Sequence, residues 1–107
     1  MTVVPSEIEP VLMRHPAIHE ASVVPLPDDR LGERACAALI LKGGRQAPTL
    51  AELQEFLERE GVAKYMWPES IQVFEAFPRT PSLKVVKRDV VQQIVARADD
   101  STLISST

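Results

Sequence analysis

The sequence has 107 residues, 45% of them hydrophobic and 25% charged, which is typical of one small domain with a single core. Twelve Lys and Arg against 15 Asp and Glu give a net charge of −3, and this excludes the basic surface that nucleic-acid binding needs. One cysteine excludes a disulfide framework and indicates a reducing compartment. The longest apolar run, residues 35–41, is too short to span a bilayer. We therefore expect a cytoplasmic chain that is small for an enzyme enclosing its substrate.

The first part of the chain predicts a helix that opens at residues 5–7 and ends at Pro16, because proline cannot donate the next helical hydrogen bond. Its apolar face has the i, i+3, i+4, i+7 spacing and consists of Ile8, Val11, Leu12 and His15. A strand is expected over residues 18–26, followed by a turn that Gly32 closes. Residues 34–41 predict a central strand covered on both faces.

The second part predicts a helix, a strand and a last helix. Thr49 and Glu52 have the spacing of a capping box, and Gly61 stands where a C-terminal cap belongs. A strand is predicted over residues 70–77, a proline-stiffened loop over 78–84, and a helix from Val86. The expected fold is a small α+β domain over residues 1–98, a three-stranded sheet with about three packed helices, in the order helix, strand, strand, helix, strand, helix. Residues 99–107 predict a flexible tail.

Residue chemistry excludes several kinds of site. His15 and His19 are separated by Pro16 and have no neighbouring ligand at metal-binding spacing, so no metal site is predicted. Cys36 could act as a nucleophile with His15, but its apolar setting predicts a buried and unreactive thiol. Residues 42–45 lack the spacing of a phosphate-binding loop and predict a hairpin turn.

Two segments stand apart from the predicted core. Lys84 ends the proline-rich loop just before a helix, where it could reach an anion as a positive probe, although such a lysine is more often a solvated surface residue. Tyr65 and Trp67 lie in a polar loop, where aromatic side chains can stack on a base, seal an interface or close the edge of a small core.

Five motifs occur along the chain. They are Pro5-x-Glu7-Ile8-Glu9, His15-Pro16-Ala17-Ile18, Pro27-Asp28-Asp29-x-x-Gly32-Glu33, Tyr65-x-x-Pro68-Glu69 and Pro78-Arg79-Thr80-Pro81-Ser82-x-Lys84-Val85-x-Lys87. Their order and spacing resemble the C-terminal domain of the adenylate-forming superfamily, which includes acyl- and aryl-CoA synthetases, nonribosomal-peptide adenylation domains and luciferases. The resemblance covers residues 2–94.

The resemblance implies a two-step ligase. A carboxylic acid reacts with ATP·Mg to give acyl-AMP, and a thiol, from CoA or from a carrier phosphopantetheine, then displaces AMP. An N-terminal adenylation domain, absent from this chain, holds the nucleotide and acid, and the C-terminal domain is a swivelling lid. Lys84 maps onto the family's adenylation lysine, and Tyr65 and Trp67 onto positions near the CoA nucleotide. We therefore expect the chain alone to be inactive and to bind none of ATP, Mg and CoA tightly.

The chain departs from the family pattern at two positions. Leu83 precedes the lysine where glycine is usual, and Met66 stands where lysine is common, so one phosphate-binding charge is missing. The absence of a carrier domain after the last helix favours a free-standing acyl- or aryl-CoA ligase. The alternatives are the lid of a carrier-loading enzyme and a separately encoded binding or regulatory module, and a small enzyme using Cys36 and His15 is disfavoured.

Overall fold

A computed structural model describes residues 6–28 and 32–106. A 3-10 turn, Ser6–Ile8, leads into the first helix, and a second 3-10 turn covers Lys64–Met66. The main elements are α1 (Glu9–Leu12), β1 (Ile18–Asp28), β2 (Gly32–Leu41), α2 (Leu50–Arg59), β3 (Ser70–Phe74) and α3 (Lys87–Ser106). The predicted α+β class and the predicted order of elements are confirmed.

The three strands form one mixed sheet in the order β1-β2-β3. β2 pairs antiparallel with β1 and parallel with β3. As its apolar sequence predicts, β2 is the central strand, and Cys36, Ala37, Ala38 and Leu39 are each 0% exposed.

Helices cover both faces of the sheet. Successive side chains of a strand point to opposite sides, so the buried side chains of the strands divide into two clusters. One face packs against α1 and α2, and its buried side chains include Val23, Ala37, Leu39, Leu53 and Leu57. The other packs against α3, and its buried side chains include Val24, Cys36, Ala38, Val90 and Ile94. The β1–β2 register shifts between Ile18 and Glu20. This irregularity changes the alternation, so that Ile18 shares the first face with Ala21 and Val23.

β1 extends to Asp28, beyond the predicted end at Leu26. The prediction was wrong because Pro25 and Pro27 were taken as boundaries, whereas both pair with β2. A strand at the edge of a sheet tolerates prolines, since only one side of it is hydrogen-bonded to a neighbour.

α1 is shorter than predicted and ends at Leu12. After it, the amides of Arg14 and His15 donate to Val11 and Leu12, at 3.0 Å each, in the i→i+3 pattern that tightens the end of a helix. His15 therefore lies outside the helix, although its ring still packs edge-on against Phe56 at 5.0 Å.

Both ends of α2 form as predicted. Thr49 Oγ1 accepts from the Glu52 amide at 3.1 Å, and Glu52 Oε1 accepts from the Thr49 amide at 2.8 Å, which completes the capping box. Gly61 has φ +82°. The amides of Gly61 and Val62 donate to Glu58 and Leu57, which is the Schellman arrangement of a helix end.

Three further boundaries differ from the predictions. β3 ends at Phe74 rather than Phe77, although the Phe77 ring is buried and packs 5.4 Å from that of Phe74. The turn at residues 42–45 leads from β2 towards α2, so it is not a hairpin turn. α3 begins at Lys87, one residue after Val86, and its range continues to Ser106. The flexibility of residues 99–107 stays a prediction.

Candidate functional site

Lys84 lies on a narrow loop that folds back on itself between β3 and α3. The Val86 amide donates to the Pro78 carbonyl at 2.9 Å, and the Thr80 amide donates to the Lys84 carbonyl at 2.8 Å. Between these bonds Arg79 and Val85 form an antiparallel bridge. We call residues 78–86 the lysine loop.

The tip of the lysine loop is a tight turn. The Leu83 amide donates to the Thr80 carbonyl at 2.8 Å, and Leu83 follows with φ +72°. A turn closed by a left-handed residue is a recurrent three-residue hairpin connection. Thr80 Oγ1 adds a 3.2 Å contact from the Lys84 amide and a 2.9 Å hydrogen bond with Ser82 Oγ. Both backbone polar groups of Lys84 are therefore held by Thr80.

Leu83 occupies the left-handed region that favours glycine. This geometry gives a physical reason for the glycine that the resemblance predicts at this position. A non-glycine residue there costs roughly 1–2 kcal/mol, and Leu83 recovers little of this by burial because it is 73% exposed.

Ion pairs anchor both ends of the lysine loop to the free edge of β1. At its start, Arg79 donates to both carboxylate oxygens of Glu20 at 2.6 and 2.7 Å. Just beyond its end, Lys87 Nζ donates to Glu9 Oε2 at 2.7 Å and to the Val23 carbonyl at 3.2 Å. The Val23 amide also donates to Glu9 Oε2 at 2.7 Å. Unpaired backbone groups of the edge strand are thus satisfied by charged side chains.

The sequence predictions did not include these anchors. Arg79 and Glu20 are 59 positions apart, and Lys87 and Glu9 are 78 apart. One signal was available for Glu20, which is the one acidic residue within the predicted strand over residues 18–26.

The Lys84 side chain is exposed. Its Nζ forms no salt bridge with any residue in the described ranges. A rigid backbone thus carries an ammonium group that the described part of the chain leaves unpaired, and such a group is suited to binding an anion outside the domain.

The two aromatic residues predicted near the CoA nucleotide are presented differently. Tyr65 is 87% exposed on the second 3-10 turn. Trp67 is partly buried against the core cluster that includes Leu53 and Leu57, and its indole Nε1 donates to the Val62 carbonyl at 3.0 Å. The ring of Tyr65 is therefore accessible to a ligand, whereas Trp67 ties the second 3-10 turn to the core.

Cys36 and His15 lie on opposite faces of the sheet. Cys36 is 0% exposed on the α3 side, where burial raises the pKa of its thiol. His15 contacts Phe56 on the α2 side, and its Nδ1 accepts from the Ala17 amide at 3.1 Å. Burial is the main cause that lowers the pKa of His15. The two residues therefore cannot form a catalytic pair. This agrees with the sequence analysis, which disfavoured such a pair.

Residues 6–28 and 32–106 contain no group of three or more His, Cys, Asp or Glu side chains that could hold a metal ion. Over the same ranges, no helix has the length and apolarity needed to cross a membrane.

A comparison with protein families identifies the domain. Residues 7–84, from the 3-10 turn to the exposed lysine, match the family described as the AMP-binding enzyme C-terminal domain. The chain belongs to this family. The matched range includes the whole sheet, α2 and the tip of the lysine loop.

The relatives of this AMP-binding enzyme C-terminal domain are much longer proteins, and the chain matches only a part of each. The chain is 45% identical over 91 residues to the medium-chain fatty-acid–CoA ligase of Escherichia coli, covering 85% of this chain and 16% of that protein. It is also 45% identical over 94 residues to the salicyl-AMP ligase / salicyl-S-ArCP synthetase of Mycobacterium tuberculosis, covering 87% and 16%. The chain therefore spans about a sixth of each relative.

Solved structures show the same fold. The apo structure of MbtA from Mycobacterium smegmatis superposes with a TM-score of 0.75 at 36% identity, covering 81% of this chain and 16% of that one. An acyl-CoA synthetase from Brucella canis superposes with a TM-score of 0.73 at 28% identity, covering 89% and 18%.

Proposed function

We propose that this domain is the mobile lid of an ATP-dependent, AMP-forming ligase, and that Lys84 is its catalytic residue for adenylation. The observation that carries the proposal is the exposed Lys84 ammonium on a hydrogen-bonded loop, within the sequence range that matches the family. Its partner is an N-terminal adenylation domain of the same enzyme, which would hold the carboxylic acid and ATP.

In the first step, an oxygen of the substrate carboxylate attacks the α-phosphorus of ATP. The bond to the bridging oxygen breaks, and pyrophosphate leaves with its electron pair. Lys84 Nζ donates hydrogen bonds to the carboxylate and to the α-phosphate oxygens. It therefore aligns the nucleophile and stabilises the negative charge that grows on phosphorus in the transition state.

The described residues present no group of three or more His, Cys, Asp or Glu side chains for a metal ion, so we assign none of them to the magnesium that accompanies ATP. When bound, it neutralises phosphate charge.

In the second step, a thiolate attacks the acyl carbonyl of acyl-AMP, and AMP leaves with the electron pair of the acyl–oxygen bond. The thiol belongs to a phosphopantetheine arm, either of CoA or of a carrier protein. Relatives at equal identity include a CoA ligase and an ArCP synthetase, so both acceptors belong in the assay.

We assign Tyr65 a stacking contact with the CoA nucleotide, because its ring is 87% exposed and aromatic faces bind bases. Trp67 supports this contact by fixing the turn. Tyr65→Ala should raise the KM for CoA several-fold in thioester formation and leave adenylation unchanged. Met13→Ala, which removes another exposed side chain, is the control. An unchanged KM for CoA would remove this assignment.

Because Lys84 is exposed on this domain, adenylation activity should require the N-terminal adenylation domain that holds the reactants. The complete ligase should catalyse ATP–pyrophosphate exchange with at least one member of a panel of fatty and aromatic acids. The isolated chain should catalyse none with the same acids, because Lys84 then has no bound reactants to act on. Exchange by the isolated chain would contradict the lid assignment, and so would a complete protein that adenylates no acid.

We also place the enzyme in the cytoplasm, where the free Cys36 stays reduced. Recovery of the native enzyme in a secreted fraction would contradict this.

A further inference from the structure

Building on the proposed role of Lys84, we propose that Arg79 is the positioning residue of the adenylation lysine and that Glu20 is the fixed point from which it acts. Arg79 does not contact the reactants. It sets where the Lys84 backbone stands relative to the sheet.

The guanidinium of Arg79 connects the tip of the lysine loop to β1. Its Nη2 donates to both carboxylate oxygens of Glu20 at 2.6 and 2.7 Å, while its Nη1 donates to the Leu83 carbonyl at 3.2 Å. That carbonyl belongs to the peptide group that joins Leu83 to Lys84. Arg79 therefore fixes the peptide group that directly precedes Lys84.

The other polar groups around this peptide are all contributed by the loop itself. Thr80 accepts from the Lys84 amide and donates to the Lys84 carbonyl. These bonds fix the shape of the tip but not its place in the domain. Among the described residues, the contacts of Arg79 with Glu20 and Leu83 give the tip its hydrogen-bonded side-chain link to the sheet. Val85, on the other side of Lys84, adds an apolar contact with the buried cluster on the α3 side.

The ion pair between Arg79 and Glu20 is partly shielded from water, which strengthens its hold on the loop. The side chains of Arg79 and Glu20 are 29% and 32% exposed, and the two short hydrogen bonds from Nη2 to the carboxylate strengthen the charge interaction. His19 Nε2 also lies 3.9 Å from Glu20 Oε1. Lysine in place of Arg79 could keep the charge but not the fork that bonds two partners at once.

Leu83 increases the need for such a link. Its left-handed backbone at φ +72° is a conformation that a leucine keeps only when surrounding bonds impose it. The hydrogen bond from Arg79 to the Leu83 carbonyl is one of the bonds that do so.

The test uses the complete ligase with the acid that gives the fastest exchange, and measures both half-reactions. Arg79→Gln and Arg79→Lys should each lower kcat of adenylation by about ten-fold or more, because small displacements of a reacting group are costly. The KM for ATP and the rate of thioester formation from supplied acyl-AMP should stay unchanged. Glu20→Gln should show the same pattern to a smaller degree, and it gives a second variant if Arg79 variants fold poorly.

Two controls separate positioning from stability. Arg14→Gln breaks the ion pair of Arg14 with Glu60, 3.0 Å long and outside the lysine loop, and should change neither half-reaction. The double variant Arg79→Gln with Lys84→Ala should be no slower in adenylation than Lys84→Ala alone, since a residue that acts through Lys84 has no effect once the ammonium is gone.

The outcomes are distinct. If Lys84→Ala slows adenylation but Arg79→Gln and Glu20→Gln do not, the positioning role is wrong and the proposed function stands. If Arg79→Gln slows both half-reactions equally, or adds to the loss in Lys84→Ala, its role is structural and the inference fails. If Lys84→Ala leaves adenylation intact, the proposed function fails first.

Discussion

At the scale of single residues, Leu83 is a strained position directly beside Lys84, the proposed catalytic residue. The tip of the lysine loop needs a residue with positive φ, and the chain supplies a leucine there at φ +72°. The conformation places the Lys84 amide within reach of Thr80. Leu83 therefore adopts a backbone conformation that is usually found at glycine.

Replacing Leu83 by glycine should make the domain more stable. Relief of the left-handed strain outweighs the greater freedom of glycine in the unfolded chain, and we expect the free energy of unfolding to rise by about 0.5–1 kcal/mol. Little burial is lost, because Leu83 is 73% exposed. Urea denaturation of the isolated chain measures the change.

Gly44→Ala is the matched control for this substitution. Gly44 has φ +78°, and an added Cβ would meet no atom within 4 Å. Only the backbone preference changes there, so this variant should lose about 1 kcal/mol. A destabilised Leu83→Gly beside a destabilised Gly44→Ala would show that Leu83 makes contacts that outweigh its strain.

At the scale of elements, the ends of α2 were easier to predict than the end of β1. The spacing of Thr49 and Glu52 and the position of Gly61 each specify a local hydrogen-bond pattern, and α2 forms between them as expected. The end of β1 depended instead on its place in the sheet, because prolines are excluded from a central strand and accepted at an edge. That place is set by pairing with β2, which no local pattern encodes.

The N-terminal cap of α2 gives a prediction at this scale. Thr49→Ala removes the side-chain oxygen that accepts from the Glu52 amide and should lower the free energy of unfolding by about 1 kcal/mol. Thr49→Ser keeps the oxygen and should lose much less. Thermal and urea denaturation of the two variants provide the measurement, and equal losses would mean that the cap contributes nothing.

At the scale of the whole molecule, the domain is a sheet covered on both faces, and the lysine loop presents the exposed Lys84 side chain beside the edge strand β1. The position of Lys84 along the chain followed from the resemblance, which is local in sequence. Its anchoring by Arg79 and Glu20 did not, because contacts 59 positions apart exist only once β1 and the lysine loop are folded together. A single sequence carries no record of such a pair beyond a charge in an unexpected place.

The central claim is that this domain supplies Lys84 to adenylation and not to thioester formation. It is tested most directly by Lys84→Ala in the complete ligase, with each half-reaction measured separately. We predict a loss of at least about a hundred-fold in acyl-AMP formation, the scale of one removed electrostatic contact in a transition state, with thioester formation from supplied acyl-AMP largely retained. Lys42→Ala, in the exposed turn after β2, should change neither rate. Equal losses in the two half-reactions, or unchanged adenylation, would contradict the account.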